Sequence, residues 1–261
     1  MSINEKELQE TYLWDRGNVF SSYNSILAYY QAQACVEHKR GDTLLDMPCG
    51  DGTLTAHLAP FFTSVTAIDA SSKHLAIAKK KLPLADLHES LIEEFDTEKR
   101  FSTITMINIL EHVVDPIDVL KKAAALLDEG GVLIIHVPNA HAVNRKLAVL
   151  MGTLTDCEEL SPFDIKVAGH RRSYSLSSLT QDVKLAGLKL NATGGVFYKS
   201  LSTPQIDWFL KEGPWNEGGF GWGRVGAEKD KDWKHEFCSA SYEYGKEHPE
   251  ECNIIYACVT N

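Results

Sequence analysis

The stretch 43–53, Thr-Leu-Leu-Asp-Met-Pro-Cys-Gly-Asp-Gly-Thr, constrains the fold more than any other. A short apolar strand, Thr43-Leu44-Leu45, ends on an acid, Asp46. A loop of small residues follows, carrying Gly50 and Gly52, and a helix opens at Leu54-Thr55-Ala56-His57-Leu58. Glycine lets backbone approach a ligand closely because no Cβ intervenes. A helix N-terminus directly behind it offers unpaired N–H groups. Strand, acid, glycine loop and helix in this order open a nucleotide-binding α/β unit.

The alternation continues. A β-branched run, 64–69, ends on a second acid, Asp69, and Ser71 or Ser72 can cap the helix 73–82. A weaker strand near 86–88 leads into the turn-like 92–95, and 101–107 reads as a fourth strand. Asp115-Pro116 opens a helix that Gly130-Gly131 should stop, and 132–137 is a fifth, nearly all-apolar strand. Five β-α repeats predict an α/β fold with a Rossmann-like, doubly wound, mostly parallel sheet. Two later strands, 188–192 with 196–198 and then 253–259, bring it to seven. Asp46, Asp69, Asn108 and Asn139 all fall at or just beyond strand C-termini, so they should converge on one crevice.

Ahead of the first strand, Tyr12, Trp14, Phe20, Tyr23, Ile26, Leu27, Tyr29 and Tyr30 recur at helical spacing and predict one or two amphipathic helices. Tyr12, Trp14 and Tyr23 are candidates for a cover over the crevice; core packing is the other reading. After Asn139 the pattern loosens. Residues 142–151 read as a helix, 152–174 as irregular chain, and 176–185 as a helix ended by Gly187. A segment at about 205–250 holds four of the five tryptophans but little periodicity, and reads as an insertion over the sheet or at an interface.

Composition excludes several classes. A net charge of -10 leaves no basic surface for a nucleic-acid backbone. The one basic run, Lys79-Lys80-Lys81, falls where cations oppose the negative end of a helix dipole. No apolar run approaches the roughly 20 residues that span a bilayer. The polar, acidic first ten residues are no signal peptide, and the six scattered cysteines read as reduced thiols, so a cytoplasmic protein is expected. No Cys/His ligand cluster is visible, and no metal is expected.

The loop itself chooses the nucleotide. From Gly50 it reads Gly-Asp-Gly-Thr-Leu-Thr, so the third glycine of a dinucleotide fingerprint is missing, and no Gly-Lys-Ser/Thr follows for a P-loop. Acid-ended first and second strands around a Gly-x-Gly loop resemble the class I S-adenosylmethionine-dependent methyltransferases. The resemblance extends through Asn108-Ile109-Leu110-Glu111-His112-Val113, Asp115-Pro116 and Leu127-Asp128-Glu129-Gly130-Gly131. Within that class it looks like the ubiquinone-type and "type 11/23" small-molecule enzymes, over about 40–200, with Leu185-Ala186-Gly187-Leu188 included. One departure stands out: Pro48 occupies the position of the loop's usual first glycine, which demands a particular turn there.

The resemblance implies S-adenosyl-L-methionine as cofactor and one methyltransferase domain over 1–261. Its parts are an N-terminal helical cover (1–40), a cofactor-binding core (41–140) and a substrate-side half (141–261). It implies Asp69 on the ribose diol with Ala70 beside it, Asp46 toward the methionyl ammonium, and Pro48, Gly50 and Gly52 along the amino-acid tail. Leu91 and Ile92 would flank adenine, where relatives often carry an acid at Leu91, and Ile107 and Asn108 would meet the methionyl group. Glu111 and His112 would line the cleft or pack as a helix-start pair. The same relatives place substrate contacts after the fifth strand and in Gly-His-Arg-Arg-Ser-Tyr, which draws in Asn139, Arg171 and Tyr174. Candidate bases for a hydroxyl acceptor are His141 and then His170, with Asp164 as an orienting acid; mid-strand His136 reads as core. Arg171 or Arg172 would suit an anionic acceptor. The expected function is methyl transfer to a small-molecule hydroxyl, of a sugar or another metabolite. N-methylation of a small amine and a non-catalytic cofactor-binding module are the alternatives, a dehydrogenase is more distant, and a homodimer is left open.

Overall fold

The structure is a computed structural model and describes residues 5–6, 21–215 and 232–261. Its seven strands are β1 (Thr43–Asp46), β2 (Ser64–Asp69), β3 (Asp86–Glu89), β4 (Phe101–Ile107), β5 (Leu127–Pro138), β6 (Lys189–Tyr198) and β7 (Cys252–Thr260). They form one sheet in the order β3-β2-β1-β4-β5-β7-β6. The first five are mutually parallel, and β7 runs antiparallel to both β5 and β6. Running against β7 on both sides puts the C-terminal end of β6 on the same sheet edge as the C-terminal ends of β1 to β5.

Helices cover both faces: α1 (Ser21–His38), α2 (Thr53–Leu58), α3 (Ser72–Lys81), α4 (Pro116–Ala124), α5 (Val143–Leu150), α6 (Leu176–Leu185), α7 (Thr203–Glu212) and α8 (Trp233–Glu247). Adjacent strand residues point to opposite faces, and the two cores show it. Leu45, Met106, Leu133 and Ile135 pack with Val119 and Leu120 of α4 and Leu179 and Val183 of α6. Leu44, Val132 and Ile134 pack instead with Tyr23, Leu27 and Tyr30 of α1, Ile206 and Leu210 of α7, and Tyr242 of α8. Fully burying one Leu or Ile side chain is worth about 1.5–3 kcal/mol, so a one-residue slip of β5 would forfeit both cores at once.

Local signals act where the sequence placed them in two cases. The Ser71 side chain accepts from the His74 N–H to cap α3, and Asp115 accepts from the Ile117 and Asp118 N–H groups to cap α4. Gly130-Gly131 behaves differently. Helix α4 ends at Ala124, and the glycine pair lies within β5, where the register with β4 shifts between Phe101 and Thr103. Gly130 has φ 74°, and a Cβ on Gly131 would come within 3.0 Å of the Phe101 carbonyl oxygen. The pair makes an irregular strand start and does not stop the helix.

The Trp-rich segment is not irregular chain where it is described, since α7 and α8 occupy much of it; Trp222 and its glycine neighbours lie outside the described residues. Among the described residues no helix is long and apolar enough to cross a membrane.

Candidate active site

The C-terminal edge of the sheet opens into a cavity of about 1260 Å³. The ends of β1, β2 and β4 contribute Asp46, Asp69 with Ala70, and Ile107 with Asn108. Pro48 and Gly50 of the first loop, Leu91 and Ile92 after β3, and His112 after β4 line it as well. Tyr23, Asn139, Asp164 and His170 border the rest. Residues far apart in sequence meet here because every parallel strand delivers its C-terminal residue to the same edge.

The first loop is braced on both sides. The Met47 N–H donates to the Thr105 carbonyl at 2.9 Å and the Cys49 N–H to the Ile68 carbonyl at 2.8 Å, with a cis Met47–Pro48 peptide between them. Gly50, at φ 54°, donates its N–H to Asp69 Oδ2 at 2.9 Å. Asp69 Oδ1 accepts from the Ser71 N–H at 2.8 Å, and His74 Nδ1 lies 3.3 Å away. Gly52 differs from its expected role. It does not line the cavity; at φ 77° a Cβ there would meet the backbone of Ala78 at 3.0 Å, so the missing side chain lets α2 pack against α3.

Asp46 is buried beneath this loop. Its Oδ2 accepts from the Thr55 hydroxyl at 2.5 Å and its Oδ1 from the Thr105 hydroxyl at 2.8 Å. Burial pushes its carboxyl up to about 6, although both threonine hydrogen bonds pull the other way. Asn108 takes the left-handed conformation, φ 52°, which is uncommon for any residue but glycine. It is held there by its N–H to the His136 carbonyl at 2.8 Å and by its side-chain oxygen, which accepts from Gln31 at 3.4 Å. His136 itself is wholly buried, as expected of a mid-strand residue.

On the far side, Glu111, His112 and His170 gather, with ligand atoms within 4.8 Å of one another, close enough to hold a metal ion. The sequence showed no such cluster because His170 lies 58 residues from His112 in the chain, as the His112–His170 ring contact at 5.0 Å spans. Burial pushes Glu111 up to about 8, and its carboxylate oxygens find no hydrogen-bond partner among the described residues. Burial drives His112 down to about 3, helped by the charge of His170. Burial also lowers His170, against Asp164, whose Oδ1 stands 3.6 Å from His170 Nδ1. Burial alone would raise Asp164, but hydrogen bonds from Ser161 and the charge of Arg145 outweigh it and hold the carboxyl below its ordinary range.

The other expected site residues are spread more widely. His141 is about half exposed, lies in a shallow surface depression beside Glu158, and does not line the main cavity. Tyr174 is buried in the core, with its hydroxyl donating to Asp182 Oδ2 at 2.8 Å. Arg171 pairs with Glu5 at 2.8 Å. Arg172 donates to the Leu110 and Val113 carbonyls at 2.6 Å, pinning the turn after β4. Asn139 borders the cavity, but its amide is taken up by the Glu250 and Cys252 carbonyls and its oxygen by the His141 N–H. Tyr12 and Trp14 lie outside the described residues.

One cavity residue carried no sequence signal. Lys199 follows β6 directly and is almost fully buried, and burial pulls its ammonium down to about 7.

A doubly wound sheet in this order, with acids ending β1 and β2 at one cavity, has the architecture of the class I S-adenosylmethionine-dependent methyltransferases. Solved structures share it. An S-adenosylmethionine-dependent methyltransferase from Clostridium acetobutylicum aligns over 90% of each chain with TM-score 0.53 at 17% identity. The N-methyltransferase NodS from Bradyrhizobium japonicum, in complex with S-adenosyl-L-homocysteine, aligns over 99% of this chain and 98% of its own with TM-score 0.54 at 13% identity. In sequence, the ubiquinone biosynthesis O-methyltransferase of Coxiella burnetii is 30% identical over 170 residues, 62% of this chain and 70% of that protein. A family model described as a methyltransferase domain matches residues 19–193. The chain belongs to that methyltransferase-domain family and is an S-adenosylmethionine-dependent methyltransferase.

Proposed function

We propose that the protein transfers a methyl group to the hydroxyl of a small molecule in the cytoplasm. The observation that carries this reading is the single cavity of about 1260 Å³, which joins the glycine-loop acids to His170. Pockets for a single drug-sized ligand are typically about 300–1,000 Å³, so this cavity has room for cofactor and acceptor together. The likeness to ubiquinone biosynthesis O-methyltransferases favours oxygen as the acceptor atom.

The residues present fit the cofactor. Asp69 keeps an open lone-pair direction on Oδ2 for a ribose diol, since a carboxylate has about four acceptor sites and the Gly50 N–H uses one of them on that oxygen. Gly50 presents bare backbone to the cofactor's tail. Asp46 supplies negative charge for its ammonium, Leu91 and Ile92 supply apolar surface for adenine, and Asn108 positions backbone beside the methionyl group. When bound, S-adenosylmethionine would supply both the methyl carbon and the positively charged sulfur that keeps the bonding pair as the methyl group leaves.

The chain's own work is then alignment, exclusion of water and removal of one proton. With Nδ1 of His170 turned toward Asp164, Nε2 would be the atom that takes the acceptor's hydroxyl proton. A histidine that burial keeps neutral is ready to accept a proton, and Asp164 stabilises the imidazolium that results.

Incubation with S-adenosylmethionine labelled in its methyl group and a panel of phenols, sugars, hydroxy acids and small amines tests the reading. Label should appear as an acid-stable, base-stable methyl ether of at least one hydroxyl compound. Incorporation confined to amines, or none across the panel, overturns it.

A further inference from the structure

The cavity also holds a buried lysine that no carboxylate among the described residues pairs with. Lys199 leaves the C-terminal end of β6, on the edge where the other site residues lie, and is 3% exposed. Its Nζ donates to the Thr203 hydroxyl at 2.9 Å and sits 4.7 Å from the centre of the Tyr23 ring. Among the described residues no carboxylate pairs with it. The three protons of an ammonium are thus matched by one hydroxyl and one aromatic face.

The surroundings sharpen the imbalance. Thr203 opens α7, and Ser202, Thr203 and Pro204 line the same cavity, so the positive end of that helix dipole faces the same space. The Tyr23 hydroxyl is also buried, at 1% exposure, and has no hydrogen-bond partner among the described residues. The Tyr23 backbone N–H donates to Asp207 Oδ1 at 2.9 Å, which fixes α1 against α7 and holds the ring under Lys199. A buried charge and a buried phenol without partners each cost folding free energy. Such a pair at a ligand cavity is satisfied when a ligand supplies the missing acceptor.

We propose that Lys199 and Tyr23, with the first turn of α7, form a subsite for a carboxylate carried by the methyl acceptor. One carboxylate oxygen accepts from the Lys199 ammonium and the other from the Tyr23 hydroxyl. The helix end favours the negative charge. The ammonium, which burial pulls down to about 7, becomes fully protonated once the anion is beside it. Arg171 and Arg172, the cations the sequence offered for an acidic acceptor, are committed elsewhere, to Glu5 and to the carbonyls after β4. The proposal rests on reading this end of the cavity as the acceptor site.

The test compares acids with their neutral amides on protein saturated with S-adenosyl-L-homocysteine. The probes are benzoate, 3,4-dihydroxybenzoate and cinnamate, each beside its amide, measured by calorimetry. Wild type should bind at least one acid roughly tenfold or more tightly than its amide, the effect of one charge-assisted hydrogen bond. Lys199→Met should abolish that preference, Lys199→Arg should keep part of it, and Tyr23→Phe should reduce it, with S-adenosylhomocysteine affinity unchanged in all three. Lys199→Gln serves as a second neutral variant should Lys199→Met lower the melting temperature sharply. No acid preference in wild type, or a preference that survives loss of the lysine charge, overturns the subsite. Lys199-dependent acid binding without methyl transfer to any hydroxyl would fault the reading of the function and leave the subsite standing. Transfer without acid preference would do the reverse.

Discussion

The Gly50 backbone N–H donates to Asp69 Oδ2 at 2.9 Å, joining the first loop to the end of the second strand. One carboxylate thereby sets the loop's position and, on the proposed reading, also receives the cofactor's ribose. Asp69→Ala should therefore weaken S-adenosylhomocysteine binding by about a hundredfold, the loss of hydrogen bonds to a charged group worth about 1.5–3 kcal/mol each. Asp69→Asn, which keeps one acceptor oxygen, should fall between. Calorimetry checks both, and equal tight binding in wild type and the alanine variant would remove Asp69 from the cofactor site.

On the proposed reading, Asp46 should make cofactor affinity depend on pH. Its folded-state pKa of about 6 lies above the 3.8 of a free carboxyl. Its contribution to stability is therefore fully present below about pH 3.8 and is lost as pH rises through 6, because ionising it in the dry interior is unfavourable. A bound ammonium reverses that preference. S-adenosylhomocysteine affinity should rise with pH up to about 6 and level off above it, and Asp46→Asn should show weaker binding with no step. A step of the same size in the variant would mean that another group titrates.

What could be read from the sequence was what is local in the chain. The β-branched and apolar runs that end on Asp46, Asp69 and Asn108 marked three strands and their ligand-facing ends together, since a parallel sheet has a fixed functional edge. The end of α4 is not legible locally because Gly130-Gly131 carries the same signature in a helix stop and in a distorted strand; the close approach of Phe101 separates the two, and only the pairing of β4 with β5 reveals it. Glu111 and His170 come together through tertiary packing alone. Lys199 had no motif around it. It becomes notable once β6 is seen to run with the parallel strands and α1 is seen to cover it, which no local pattern encodes.

The two histidines proposed from sequence now separate. His170 borders the cavity with Asp164 behind it, whereas His141 is turned to the surface beside Glu158. On a hydroxyl acceptor, His170→Ala should lower kcat by about a hundredfold or more, within the usual range for removing a general base, with little change in cofactor affinity. Asp164→Asn should give a smaller loss, since it acts through His170. His141→Ala should leave kcat and KM near wild type. Single-turnover methyl transfer measures all three, and equal effects of His141→Ala and His170→Ala would contradict this division.

Tyr174 provides the opposite kind of test, because its position makes it structural. Its carbonyl accepts from the Ala140 N–H at 2.7 Å, its backbone bridges to Asn139, and its hydroxyl donates to Asp182 in α6 at 2.8 Å. It thus fastens the chain after β5 to α6, and the ring belongs to the core beside Leu179 and Val183. Tyr174→Phe keeps the ring and loses one hydrogen bond, worth about 0.5–1.5 kcal/mol. The melting temperature should fall by roughly 2–4 °C per kcal/mol lost, with KM for the acceptor unchanged. Tyr174→Ala opens a core cavity as well and should cost about 3–5 kcal/mol. If Tyr174→Phe instead raised KM at unchanged melting temperature, the hydroxyl would have to reach the acceptor, which its bond to Asp182 argues against.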